Sequence, residues 1–259
     1  MQQNQYKMEQ EFNQSSEEEK SKYRLGRINN KYLIIQIMCW SDSLDVCVPI
    51  FTKSCKIYKS LYYENGMSFM LYGYCRELLL ILREPESLIK TFKDINLIRK
   101  GLKGKLFILK KLYDSRKDGD QPKDFHEKCD EFSHTICVLR TNYNQLIGGY
   151  TSQTWKNALG QKYKTDFAAF LFSLTKKSLH PIKPGQEDKA ICNTHKLSQI
   201  CLFGEGDLFV LGRLQYSSLG KSYLLPNGIK QDSKQAESYL GGSNLFDFTA
   251  LQTYQVIFL

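Results

Sequence analysis

Hydrophobic and polar residues follow different periods in different parts of the chain, and these periods predict its elements. Residues 1–31 are rich in Gln, Glu, Lys and Asn and nearly lack aliphatic side chains, so we expect a disordered polar tail. Residues 32–74 mix β-branched, aromatic and polar side chains without a clear period, which leaves both short strands and helix open. Residues 32–104 are therefore interpreted as a partly helical N-terminal region to which no known module is assigned.

Two helices are predicted after residue 74. Residues 75–83 form a helical pattern that should end before Pro85, because the residue preceding a proline is driven out of the α region. In residues 86–99, apolar side chains recur at helical spacing and predict a second helix. This stripe consists of Leu88, Phe92, Ile95 and Ile98. Gly101 and Gly104 then indicate a break, and we place a domain boundary near residue 104.

After residue 104 the pattern changes to short runs of β-branched and aromatic residues separated by turn signals. Strands are predicted at residues 105–113, 135–140, 145–150, 166–174, 189–192, 199–203, 207–212 and 253–259. The second and third of these alternate around residues 141–144, which predicts a hairpin, and Pro181 is one of the turn signals. A short helix is predicted at residues 121–131, with Pro122 in its first turn. Many short strands and few helices predict an α+β fold, in which two antiparallel sheets form a β-sandwich flanked by short helices over residues 105–259.

Composition and charge narrow the class of protein. Hydrophobic residues make up 42% of the chain and aromatic residues 13%, enough for a packed core. The net charge is +9, but the excess of basic residues is +1 over residues 1–31, +3 over 32–104 and +5 over 105–259. Charge spread in this way predicts nonspecific attraction to nucleic acid and no specific nucleic-acid surface.

The cysteines and the first residues favour a cytoplasmic protein. Eight cysteines are present without a Cys-x-x-Cys pair, and the chain opens with Met-Gln-Gln-Asn instead of a basic start and an apolar stretch. The thiols are therefore interpreted as reduced. No apolar run reaches the roughly 20 residues that a spanning helix needs, so no transmembrane segment is predicted.

Two His-x-x-Cys pairs, His126 with Cys129 and His134 with Cys137, are the main candidates for chemistry. Zinc sites use such ligands, but finger-like sites leave about a dozen residues between pairs, and positions i and i+3 of a strand point to opposite faces. We therefore predict no metal site. His126 and Cys129 can also meet on one helix as a base and a thiol nucleophile, which makes them the candidates for catalysis.

Other cysteines and the glycine clusters are assigned to packing and turns. Neither Gly148-Gly149 nor Gly204-Glu205-Gly206-Asp207 has the spacing of a nucleotide-binding loop, so no cofactor is predicted. Such glycines serve bulges, tight turns or the close approach of neighbouring side chains. The remaining cysteine and histidine groupings lack the tight pairs of a metal knuckle. They are Cys39, Cys47, Cys55, Cys192, His195 and Cys201.

The order of motifs in residues 105–259 resembles the TLDc domain, the domain of the oxidation-resistance protein family. The resemblance rests on Leu112–Gly119, Asp124–Asp130, Ile147–Ser152, Trp155, Asp166–Leu174, Phe203–Leu208, Gly220–Tyr223 and Leu240–Ser243, ahead of a final strand. The positions that carry the family motifs are Phe125, His126, Cys129, Asp130, Gly148, Gly149, Tyr150, Trp155, Phe170, Phe172, Gly204, Gly206, Asp207, Ser222, Tyr223, Gly242, Ser243 and Gln255.

The resemblance implies a function as well as a fold. Members of the family protect against oxidative damage, several bind the vacuolar proton-pumping ATPase (V-ATPase), and the family has no generally accepted reaction. The resemblance therefore implies that the protein is a non-enzymatic interaction module in the cytoplasm, peripheral to acidic organelles. The alternative that the residues leave open is a thiol-dependent enzyme or direct peroxide scavenger that uses Cys129 with His126. The family usually has an acidic residue where this chain has Gln255, so a charged contact made there would be missing.

Overall fold

The computed structural model describes residues 78, 80–156, 163–192, 199–212 and 215–259, all of which belong to the unit Tyr72–Leu259. These residues form two six-stranded antiparallel sheets and a few short helices, which confirms the predicted fold class. The predicted polar tail, residues 32–77, Cys39, Cys47, Cys55 and His195 lie outside the described residues.

The elements are numbered in chain order, after a helical segment at residues 80–83. The helices are α1 (Phe92–Gly101), α2 (Ser115–Asp118), α3 (Pro122–Cys129) and α4 (Lys234–Tyr239), with a 3-10 turn at Glu187–Lys189. The strands are β1 (Phe107–Asp114), β2 (Thr135–Thr141), β3 (Leu146–Thr151), β4 (Tyr163–Lys164), β5 (Phe170–Ser173), β6 (Ser178–Pro181), β7 (Ile191–Cys192), β8 (Gln199–Phe203), β9 (Leu208–Leu211), β10 (Gln215–Tyr216), β11 (Leu245–Phe246) and β12 (Phe248–Phe258).

The first sheet has the order β1-β12-β2-β3-β5-β6 and the second the order β11-β10-β9-β8-β7-β4. Strand β12 is eleven residues long and lies between β1 and β2. This C-terminal strand therefore forms backbone hydrogen bonds with the first two strands of the described sequence. The predicted hairpin is confirmed, since β2 and β3 pair in register on either side of residues 142–145.

Several predicted boundaries were wrong, and local hydrogen bonds account for two of them. The second helix begins at Phe92, not residue 86, because Thr91 caps it and the Asp94 carboxylate binds the Thr91 backbone N–H. The strand predicted from Asp166 begins at Phe170, because the Asp166 side chain holds the preceding residues in a loop.

Other elements were missed. The final strand begins at Phe248 instead of residue 253, and helix α4 and strand β6 had no predicted counterpart. Pro181, interpreted as a turn signal, ends β6, which is an edge strand where a missing backbone N–H costs little.

The first sheet is buried on both faces. On one face Leu139, Leu171 and Leu251 pack into the core shared with the second sheet. On the other face the side chains of Phe170 and Phe172 are also buried. Helix α1 covers this second face: Gly101 lies against the Phe170 ring so closely that a Cβ there would overlap it. Residues before the predicted boundary at 104 are thus packed onto the sandwich.

A buried polar network attaches residues 84–89 to the sheet. The Gln252 side chain accepts a hydrogen bond from the Leu88 backbone N–H at 2.8 Å and donates to the Glu86 carbonyl at 3.0 Å and to Asp114 Oδ2 at 2.7 Å. The Tyr254 hydroxyl donates to Gln252 Oε1 at 2.7 Å. Burial tends to raise the pKa of Asp114, but hydrogen bonds from Arg116 and Gln252 outweigh it and hold the pKa at about 2.

Replacing Gln252 by leucine should loosen residues 84–89 and lower the free energy of unfolding by roughly 3 kcal/mol, because several buried polar groups lose their partner at once. Gln255→Leu is the matched control, since Gln255 lies on the same strand, is half-buried, and makes no side-chain hydrogen bond within the described part of the chain. Chemical denaturation measures the free energy of unfolding, and hydrogen exchange measures the loosening of residues 84–89. Equal stability of the two variants would contradict the role assigned to Gln252.

Candidate functional site

The aromatic motif residues form a continuous row through the core between the sheets. The Phe125 ring lies 5.8 Å from that of Trp155, Trp155 lies 5.5 Å from Phe203, and Phe203 lies 6.4 Å from Tyr223, all in edge-to-face contact. Trp155 Nε1 donates to Thr135 Oγ1 at 2.9 Å, and the Tyr223 hydroxyl donates to the Ala190 carbonyl at 2.6 Å. These side chains stabilise the sandwich by burial and leave no aromatic face open to a ligand.

The cysteines of the two His-x-x-Cys pairs are core residues. Cys129, Cys137 and Cys201 are all buried in the same cluster between the sheets. Burial raises the pKa values of Cys129 and Cys201, because a thiolate is poorly solvated there. Thr253 Oγ1 donates to the Cys137 sulfur at 3.5 Å. The raised pKa values favour the protonated thiols of Cys129 and Cys201, and all three sulfur-bearing side chains are closed off from solvent.

His126 does not act on the Cys129 thiol in this arrangement. His126 Nδ1 lies 2.6 Å from Asp130 Oδ1, and Nε2 lies 2.9 Å from the Gln199 carbonyl oxygen, so Nε2 carries a proton and donates it. Both ring nitrogens are thus occupied by other partners. The sequence places a base beside a thiol, whereas the structure uses the imidazole to join helix α3 to strand β8.

The second pair is separated in the same way. His134 precedes β2 with a φ of 53°, and its Nδ1 lies 2.7 Å from the Tyr150 hydroxyl, while Cys137 points into the core. Within the ranges that the structure covers, no group of three or more His, Cys, Asp or Glu side chains is placed to hold a metal ion.

Two buried aspartates of the motifs hold loops. Asp166 accepts hydrogen bonds from Thr151 Oγ1, from the backbone and hydroxyl of Ser152, and from the Ala168 backbone, all between 2.6 and 2.9 Å. Asp207 accepts four backbone N–H groups, from Gly220 through Tyr223, between 2.8 and 3.2 Å. Burial raises the pKa of Asp207, and these four donors oppose the rise.

The glycine motifs meet two different demands. At Gly149 a Cβ would lie 2.6 Å from the Phe203 ring and 2.8 Å from Leu171, so this site needs close approach and not a special φ. Gly204, Gly206 and Gly242 instead have positive φ values of 70°, 117° and 92° in turns. The motifs are therefore used for the architecture of the sandwich. Ser243 follows Gly242 in its turn, and Gln255 is half-buried on β12.

A cleft with basic walls lies where residues 85–90 meet the sandwich. It has a volume of about 230 Å³, and its polar lining includes Glu86, Lys90, Arg116, Arg140 and Thr249. Arg116 is bound to Asp114, with its Nη2 2.8 Å from Asp114 Oδ2, and Lys117 lies 3.0 Å from Glu86. The Arg140 guanidinium has no hydrogen bond or ion pair to another described residue.

This cleft is the arrangement best suited to bind an acidic group, and sequence reasoning missed it. Arg116 belongs to the family motif Leu112–Gly119, whereas Arg140 belongs to none of the family motifs. The cleft is formed by segments of the chain that are far apart, so the only available signal was the presence of arginines at the ends of predicted strands.

Comparison with known families places the protein. A TLDc domain model matches residues 84–255, well over half of the chain. The chain therefore belongs to the TLDc family, as its motif order indicated. The match begins at residue 84, which agrees with the packing of residues 84–104 on the first sheet, while the boundary near residue 104 stays a prediction. No curated protein matches the chain. Among the described helices, none combines the length and hydropathy needed to cross a bilayer.

Gly149→Val should unfold or misassemble the sandwich, because its side chain must overlap Phe203 and Leu171. We expect the free energy of unfolding to fall by about 3 kcal/mol or more. Lys110→Val places the same residue at an exposed position of the same sheet and should change stability by less than about 0.5 kcal/mol. A normal thermal midpoint for the Gly149 variant would refute the packing explanation.

His180 should make stability fall in acid. Burial lowers its pKa from 6.5 to about 4, and Lys176 adds to this effect, while its Nδ1 donates to the Leu224 carbonyl at 3.0 Å. As the pH falls, His180 is protonated near pH 6.5 in the unfolded chain but only near pH 4 in the folded protein. Protons therefore favour the unfolded chain between these values, and stability is lost as the pH falls through them. The loss at pH 5 should be about 2 kcal/mol.

Denaturation curves at pH 7 and pH 5 measure this loss. In His180→Gln the side chain no longer titrates, so the difference between the two pH values should shrink by about 2 kcal/mol relative to the wild type. The other histidines are common to both proteins and cancel. An identical pH dependence in both proteins would show that His180 is not the group responsible.

Proposed function

We propose that the protein is a non-enzymatic TLDc interaction module that protects against oxidative damage by binding the V-ATPase, from the cytoplasm and at the surface of acidic organelles. The observation that supports this proposal is the use of the motif side chains: aromatic residues, aspartates and glycines of the motifs are buried or hydrogen-bonded in building the sandwich. A rigid scaffold of this kind presents surfaces to a partner.

The basic cleft is the contact that we assign to the protein partner. Arg140 is half-buried, its guanidinium has no hydrogen bond or ion pair to another described residue, and it lies beside Thr249 on the neighbouring strand. A volume of about 230 Å³ accommodates one or two side chains, not a large ligand. An aspartate or glutamate of the partner would find the Arg140 guanidinium there, with Arg116 and Lys90 adding positive potential.

Affinity purification of the full chain, followed by mass spectrometry, tests this function. The wild type should recover subunits of the V-ATPase, and Arg140→Glu should reduce their recovery by roughly tenfold or more. Lys123→Glu is the control, because it makes the same change of charge at an exposed position on helix α3, away from the cleft. Absence of pump subunits from purifications of stressed and unstressed cells would contradict the proposed partner.

The thiol-dependent alternative has a separate test. Cys129→Ala removes the thiol that the alternative uses as its nucleophile, and Cys137→Ala removes a second buried thiol as a control for packing. Under the interaction hypothesis both variants protect cells from peroxide in proportion to the amount of folded protein. A loss of protection confined to the folded Cys129 variant would favour the enzyme or scavenger.

A further inference from the structure

Helix α1 ends in a turn with an unusual density of positive charge. Arg99, Lys100, Lys103 and Lys105 lie close together in the sequence, and no acidic residue interrupts them. The three lysines are exposed and Arg99 is half-buried. None of the four forms an ion pair with another residue in the described ranges. The expectation of evenly spread charge is therefore wrong at this turn, which we call the basic turn.

Backbone hydrogen bonds fix the shape of the basic turn. The Gly104 N–H donates to the Arg99 carbonyl at 2.8 Å, and the Lys103 N–H donates to the Lys100 carbonyl at 3.1 Å. This pair of bonds ends many helices, with a glycine at the position of positive φ. Here that position is Lys103, with a φ of 55°. The chain thus carries a cation at a position in the turn where glycine is sterically favoured.

The basic turn runs along one end of the first sheet. Gly101 packs on Phe170, the first residue of β5, and the chain then enters β1 at Phe107. Strands β1 and β5 are parallel to each other in the order β1-β12-β2-β3-β5, so both begin at the same end. At a strand spacing of about 4.8 Å, the turn crosses roughly 19 Å of strand ends.

An exposed aromatic side chain lies at the same end. Phe167 is 74% exposed and precedes Phe170 in the loop that enters β5. The loop is held on both sides of it: the Asp166 N–H donates to the Glu187 carbonyl at 2.9 Å, and the Ala168 N–H donates to Asp166 Oδ1 at 2.9 Å. The ring is therefore presented from a fixed backbone, which reduces the entropy lost on binding.

We propose that this end of the sandwich, consisting of the basic turn and Phe167, binds the surface of an anionic phospholipid bilayer. Clustered Lys and Arg side chains are attracted to anionic headgroups, and a phenyl ring is stabilised at the boundary between headgroups and acyl chains. A row of cations along strand ends suits an extended surface, whereas single-stranded nucleic acid is bound by several aromatic rings that stack on successive bases.

Vesicle co-sedimentation of the full chain tests the proposal. The protein should bind vesicles that contain phosphatidylserine and remain in solution with vesicles of phosphatidylcholine alone. Binding should weaken as salt is added, because the attraction to the headgroups is screened. Equal binding to both kinds of vesicle would overturn the proposal, since the cations would then have no part in it.

The key variant is the triple substitution K100Q/K103G/K105Q. Each lysine near an anionic surface contributes roughly fivefold to partitioning, so three should together account for a loss of about 100-fold. Glycine at position 103 relieves the positive φ, so the folded state is not weakened there. K117Q/K123Q/K128Q removes the same number of charges from exposed lysines and should retain most of the binding.

The control lysines lie on helices α2 and α3, which follow the end of β1, whereas the basic turn precedes the start of that strand. Lys128 Nζ, for example, lies 3.9 Å from Asp118 Oδ1 at the end of helix α2. Equal losses in the two triple variants would show that only net charge matters and would overturn the proposal. Tighter binding to polyglutamate or to a DNA oligonucleotide than to phosphatidylserine vesicles would assign this end to an acidic macromolecule and overturn it as well.

Phe167→Ser separates insertion of the ring from electrostatic attraction. The substitution should weaken vesicle binding several-fold without changing its dependence on salt, because it removes only apolar area. Binding as tight as that of the wild type would contradict the role of Phe167. These measurements use lipid alone, so their outcome is independent of whether the chain binds the V-ATPase.

Discussion

Burial of the first sheet on both faces is the constraint from which most of the surrounding structure follows. Strand β2 is buried almost throughout, as expected for a strand covered on both sides. Gly148 and Gly149, on the neighbouring strand, face opposite ways: a Cβ on the first would lie 2.7 Å from Phe172, and on the second 2.6 Å from Phe203. The second sheet covers one face. Helix α1 covers the other, where Gly101 packs on the Phe170 ring.

The attachment of those residues shows where sequence reasoning reaches its limit. Alternating apolar positions predicted the β2–β3 hairpin correctly, because its pattern and its turn are local. The hydrogen bond from the Leu88 backbone to the Gln252 side chain joins residues 164 positions apart, and no sequence pattern around either residue predicts this contact. The domain boundary placed near residue 104 followed from a change of period and two glycines, which report local geometry but not what packs on the sheet.

The candidate sites show the same division between local and distant contacts. The spacing of His126 and Cys129 allowed an imidazole and a thiol to meet, and the helix between them was predicted. What decides their chemistry is distant: the Gln199 carbonyl accepts a hydrogen bond from the imidazole, and the core between the sheets buries the sulfur. The same holds for charge. The net charge of +9 is a property of the whole chain and does not show that four cations lie in a single turn after α1, at one end of the first sheet.

Most of the family-motif positions and the proposed binding surfaces are therefore carried by different residues. Asp207, Trp155 and Gly149 are buried and committed to the sandwich, so their presence identifies the fold without identifying a ligand. Arg140 and Lys103 lie outside the motifs, with their charges toward solvent or the cleft. Gln255 is the exception among the motif positions, since it is half-buried and lies outside the Gln252 network. If the proposed surfaces bind partners, a change at such positions changes the binding while the core remains intact, so one scaffold can serve different partners.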